Sequence, residues 1–158
     1  MARTIGLSGS ALSSPRSFQS VRIALERQAA KQAAENVSPV AVAYVEEAVI
    51  RMESTTDPNE LYQADLEFHR ALFAASGEPA LVFFSEAVAD LIAASVTERR
   101  RRMSQLSSDV AEMRALHRNI ITAVKSRDPN GAMEAMNEHF DSIDRITVSG
   151  DEELSPSA

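Results

Sequence analysis

Apolar residues in this chain recur every three or four positions and nowhere alternate long enough to make a strand, so only helices can bury them on one face. Glycine is scarce, while Ala, Leu, Met and Glu, all good helix formers, are frequent. The periodic stretches are interrupted at Asn36 to Pro39, Thr55 to Asn59, Ser76 to Pro79, Gln105 to Asp109 and Arg127 to Gly131. Each interruption holds Pro, Gly, Ser, Asn or Asp, the residues that start and stop helices. Asp57-Pro58-Asn59-Glu60 sets a cap before a proline at the first helical position and a glutamate at the third, and Asp128-Pro129 repeats the first two elements. Short connections make consecutive helices antiparallel neighbours. The expectation is an all-α, antiparallel helical bundle of about six helices.

With 158 residues the chain has the size of one domain, able to bury roughly 70% of its unfolded surface without a staple. Residues 1–17, rich in Ser and Gly, offer little apolar surface and read as a flexible segment. Residues 18–147 read as the helical domain, and 148–158 as a flexible acidic tail. There is no cysteine, which excludes disulfides and thiolate metal sites. The apolar runs are too short to cross a bilayer and the start lacks a secretory signal, so a cytoplasmic protein with no membrane partner is expected. A formal net charge of −7 opposes unaided binding to a phosphate backbone.

Four polar residues sit where the helical pattern demands apolar ones. In the helix starting at Pro58, Leu61, Tyr62, Ala64, Leu66, Phe68, Leu72 and Phe73 share a broad face with Asp65 in its middle and His69 one turn on. His117 lies in the stripe of Val110, Met113, Leu116, Ile120, Ile121 and Val124, and His139 in that of Ala132, Ala135, Met136, Phe140, Ile143 and Ile146. All three histidines of the chain therefore face inward. A lone inward histidine is usually a hydrogen-bonded core residue. An inward carboxylate is different, because burying it ionised is costly without a partner. Either a divalent ion or an Asp–His hydrogen-bonded cluster satisfies the group, and the i, i+4 spacing lets Asp65 and His69 reach one ion together.

These residues also carry a family resemblance. Asp65-Leu66-Glu67-Phe68-His69-Arg70-Ala71-Leu72, followed by Ala75-Ser76-Gly77-Glu78-Pro79-Ala80-Leu81, resembles a motif of the FadR C-terminal (FCD) domain, the effector-binding half of one branch of GntR-type transcription regulators. His117-Arg118-Asn119-Ile120-Ile121-Thr122-Ala123-Val124 with Asp128 and Ala132, the closing Met136-Asn137-Glu138-His139, and Val21-Arg22-Ile23-Ala24-Leu25-Glu26 near the start resemble further stretches of it. The resemblance implies a helical bundle in which Asp65, His69, His117 and His139 bind one divalent metal ion, zinc first, with nickel, manganese or iron as alternatives. It further implies open positions on that ion for a small organic acid effector, and a homodimer. Glu78 stands where the family commonly has Asn. The winged helix-turn-helix that usually precedes the domain is absent ahead of Ser17, so DNA contact is expected only through a separate domain. The chain then reads as a fragment, a mis-started frame or a free-standing sensor.

Two arginines complete the candidate set. Arg99 shares a phase with Val88, Ile92, Val96 and Met103, and could pair with a ligand carboxylate. Arg22 forms with Glu26 an i, i+4 pair that reads most simply as a surface ion pair, and only the resemblance marks Arg22 as a ligand-binding candidate. A metal-dependent sensor is the first functional reading. A metal-dependent enzyme acting on an organic acid is the alternative, weakened because no second acid or base is evident on a facing stripe. A structural metal site in a dimerisation module is the third.

Overall fold

The computed structural model describes residues 15–36, 38–90, 92–94, 96–97 and 107–153, with side chains placed from 19 to 142 within these spans. Six helices are described end to end: α1 (Pro15–Asn36), α2 (Pro39–Ser54), α3 (Pro58–Ala75), α4 (Pro79–Ala87), α5 (Ser107–Lys125) and α6 (Pro129–Glu153). Five of the six open on a proline. The ring fixes φ near the helical value, and the missing N–H is one the first turn cannot use. Side chains just ahead of those prolines cap the exposed amides. Asp57 accepts from the Asn59 amide at 2.7 Å, Glu78 from Ala80 at 3.1 Å and Asp128 from Gly131 at 2.9 Å. Glu78, the departure from the family pattern, thus still caps α4. A Cβ at position 131 would meet Asp128 Oδ2 at 2.3 Å, so the glycine there makes room for the cap.

Three boundaries differ from expectation: α1 begins at Pro15 and α6 runs to Glu153, each reaching past the 18–147 expected for the helical domain, and the third lies within the chain. The sequence shows no break between Pro79 and Gln105, yet α4 ends at Val88, whose φ of −100° and ψ of 4° leave the helical region. Helical residues resume at 89–90, 92–94 and 96–97. The inner stripe survives the break, with Val88, Ile92 and Val96 all buried.

The bundle is antiparallel and wholly helical among the described residues. α1 packs chiefly on α6 and α3, while α2 packs on α3 and α5. α1 offers Ala29, Ala30, Ala33 and Ala34, fully buried and small, and its neighbours fill the space with Phe68, Phe73, Leu72, Ile120, Ile121 and Met136. Outside, Arg118 pairs with Glu53, Lys125 with Glu46 and Arg51 with Glu67, linking α2 to α5 and α3. Exposed pairs of this kind contribute about 0–1 kcal/mol each, so apolar packing carries the fold. No helix among the described residues is long and apolar enough to cross a membrane. Replacing the α3 cap, Asp57→Ala, is expected to cost about 1 kcal/mol, read as a lower urea midpoint; an unchanged midpoint would show that the cap is dispensable.

Candidate metal centre

The middle turns of α3, α5 and α6 bring Asp65, His69, His117 and His139 together inside the bundle, each at most 2% exposed. One ligand atom from each of the three histidines lies within 4.8 Å of the others. Asp65 Oδ1 stands 3.0 Å from His117 Nε2 and 3.4 Å from His69 Nε2. The rings meet at centroid distances of 4.5 Å for His117–His139, 5.4 Å for His69–His139 and 5.7 Å for His69–His117. Phe68 packs edge-on against the His117 ring at 4.6 Å and Phe140 against the His139 ring at 5.3 Å, giving the cluster apolar walls.

Hydrogen bonds on the far side of two rings settle where their protons sit. His117 Nδ1 is 2.7 Å from the Met113 carbonyl oxygen, which can only accept, so this nitrogen carries the hydrogen. In a neutral ring Nε2 then holds a lone pair, and that lone pair faces the Asp65 carboxylate. An oxygen and a nitrogen that both present lone pairs at 3.0 Å repel unless a proton or a metal ion lies with them. The donor set of three imidazoles and one carboxylate fits a divalent ion of the zinc type. Two nitrogens on a tetrahedral zinc with bonds of ~2.1 Å stand ~3.4 Å apart, so imidazoles within 4.8 Å of one another would draw together to share an ion.

α1 adds two residues that the sequence reading placed on the surface. Arg22 and Glu26 are buried, 1% and 0% exposed. They are not a surface pair, because both continue the stripe of Ala29, Ala30, Ala33 and Ala34 that α1 turns to α3 and α6. Glu26 Oε1 accepts from Arg22 Nε at 2.6 Å and Oε2 from His69 Nδ1 at 2.6 Å. Arg22 Nη2 lies 3.3 Å from His69 Nε2, its guanidinium stands 5.2 Å from the Phe140 ring centre, and Nη1 has no hydrogen-bond partner among the described residues. A carboxylate therefore does face the cluster from another helix. In-phase continuation of the alanine stripe is the signal that would have revealed it. Arg99 lies outside the described residues.

Burial alone would raise the Glu26 carboxyl, but the charge of Arg22 and the hydrogen bonds from His69 and Arg22 outweigh it and hold the group down to about 2. Burial also pushes the His69 ring below its ordinary value of 6.5, outweighing the charge and hydrogen bond of Glu26, with the Arg22 charge adding to the depression. Both shifts act in one direction on stability. The unfolded chain takes up a proton at His69 near 6.5 while the folded chain does not, so stability falls as pH drops below that value. Glu26 contributes stability that is complete above 4.5 and is lost as pH falls towards 2. Denaturation with urea and a chelator present should show the midpoint declining from pH 7.5 to 5.5 and again below 4.5; a midpoint that rises from 7.5 to 5.5 would mean that the fold prefers a protonated His69.

Residues 18–142 match the FCD domain family. The HTH-type transcriptional repressor NanR of Citrobacter rodentium is 29% identical to this chain over 128 residues, 80% of this chain and 48% of that protein. The repressor of the same name from Salmonella typhimurium matches with the same identity and coverage. The chain spans about half the length of these curated relatives. Among solved structures, Streptococcus agalactiae GntR has a similar fold, with a TM-score of 0.68 at 22% identity, over 88% of this chain and 62% of that one. Matched over most of its length and sharing the helical architecture, the chain belongs to the FCD domain family.

Proposed function

We propose that this chain is the effector-sensing part of a GntR-type transcription regulator, in which a divalent metal held by Asp65, His69, His117 and His139 receives a small carboxylate. The observation that carries the reading is the convergence of three buried imidazoles, those of His117 and His69 at 3.0 and 3.4 Å from the Asp65 carboxylate, with the proton of His117 directed away from the cluster to the Met113 carbonyl. The repressor names of its relatives support a regulatory role. Bound there, the metal supplies a Lewis-acidic centre with positions that four protein ligands need not fill. Arg22, buried beside His69 with Nη1 uncommitted among the described residues, is the side chain placed to meet an acid's negative charge. Arg99 remains a second candidate for that task. DNA contact is assigned to a separate domain, since this segment carries a net charge of −7. We place the chain in a homodimer on the family resemblance.

The enzyme reading is weaker on the geometry of Glu26. It is the second carboxylate such a reaction would need, yet both of its oxygens are engaged and its pKa of about 2 makes it a poor base. A hydrogen-bonded cluster with a protonated imidazole against Asp65 would account for the same distances without metal. Elemental analysis separates the two. About one ion per chain is expected, zinc foremost, falling sharply in His69→Ala and in His117→Ala; full occupancy in both variants would remove the assignment. A screen of organic acids by thermal shift should then find a ligand that stabilises the metal-loaded protein. At about 100 times its Kd the gain is roughly 2.7 kcal/mol, it should vanish with chelator, and Arg22→Met should weaken it while the metal stays. Acid binding undiminished in the metal-free protein would overturn the sensor reading.

A further inference from the structure

We propose that Glu26 is a positioning residue of the candidate metal centre: from α1 its carboxylate fixes the tautomer and rotation of the His69 ring on α3, so that Nε2 presents its lone pair to the cluster. The inference rests on the metal reading above.

The two oxygens of Glu26 divide their work. Oε1 takes the Arg22 Nε–H and Oε2 the His69 Nδ1–H, both at 2.6 Å, and the side chain is 0% exposed. An ionised carboxylate only accepts, so Nδ1 must carry the ring hydrogen and Nε2 must be the free base. Nε2 is the atom on the side of Asp65 Oδ1, 3.4 Å away. Arg22 Nη2, 3.3 Å from Nε2, can only donate and so favours the same tautomer, and with both side chains gone a neutral ring could place its hydrogen on Nε2 and lose the lone pair aimed at the cluster. His117 shows the same logic with a different source: its Nδ1 donates 2.7 Å to the carbonyl of Met113, four residues back on its own helix. The orientation of His117 is thus set within α5, whereas that of His69 is imported from a helix that contributes no ligand. A carboxylate behind a ligating imidazole also raises its basicity, and loss of such partners typically weakens metal affinity by about 10–100-fold.

The competing account is that Glu26 merely neutralises Arg22 in the core. Two variants of the full chain separate the accounts. Arg22→Met with Glu26→Met removes both charges together, a replacement that buried ion pairs usually tolerate. Glu26→Asp keeps the charge near Arg22 but withdraws the carboxylate by one methylene. Zinc affinity is read by competition with a chromophoric chelator, and the His69 tautomer by long-range proton–nitrogen NMR of the metal-free protein. Both variants are expected to bind zinc about 10–100-fold more weakly, and in the double variant His69 is no longer confined to the Nδ1–H form. Should the double variant fail to fold, the zinc affinity of Glu26→Asp decides alone. Wild-type zinc affinity and an unchanged His69 tautomer in the folded variants would overturn the role given to Glu26 while leaving the metal reading intact. No zinc binding by the wild-type chain would overturn the metal reading and the role of Glu26 with it.

Discussion

Burial of ionisable groups without water to solvate them is the constraint on which the arrangement of this bundle depends. Arg22, Glu26, Asp65 and three histidines lie at most 2% exposed among Phe68, Phe73, Ile120 and Met136. Each such group costs several kcal/mol unless a partner of the right kind stands at hydrogen-bond distance. The partners come from different helices: α1 supplies Glu26 to the His69 of α3, and α3 supplies Asp65 to the His117 of α5. The helices cannot slide past one another without breaking these contacts.

The centre is also built from the middles of helices. Asp65 and His69 lie well inside α3, and His117 and His139 inside α5 and α6. Their positions follow from helix geometry and core packing, which hold side chains more tightly than loops do. The loops have a separate task, done by proline and by capping carboxylates at Asp57, Glu78 and Asp128. None of the four candidate ligands lies on α2. It lies against α3 and α5, and its Glu46 and Glu53 reach Lys125 and Arg118 on the helix that carries His117.

How much of this could be read from the sequence follows from which signals are local. The caps and prolines are local, and the helix boundaries they mark agree with those seen. The i, i+4 placement of Asp65 and His69 on an apolar face is local too, as are the phases of His117 and His139, so all four inward positions were legible. Arg22 and Glu26 were not, because an Arg–Glu pair at i, i+4 looks the same whether a helix turns it to water or to a core. Only its phase with four alanines distinguishes the cases, and alanine is a weak marker of burial. The break at Val88 had no marker, since no glycine, proline or capping side chain announces it. The stretch around Arg99 lies outside the described residues.

The buried charges make an uneven set. Counted formally among the described residues, Arg22 balances Glu26 and Asp65 is left over, so this buried set carries one negative charge in excess. A dication would invert that to one positive charge in excess. A monoanionic acid bound beside it would then bring the interior to neutrality, the state that a low-dielectric core disfavours least. On this count the anion is a counterion as much as a signal: the protein would be electrostatically complete only with metal and acid present together, and the affinity for each would depend on the other.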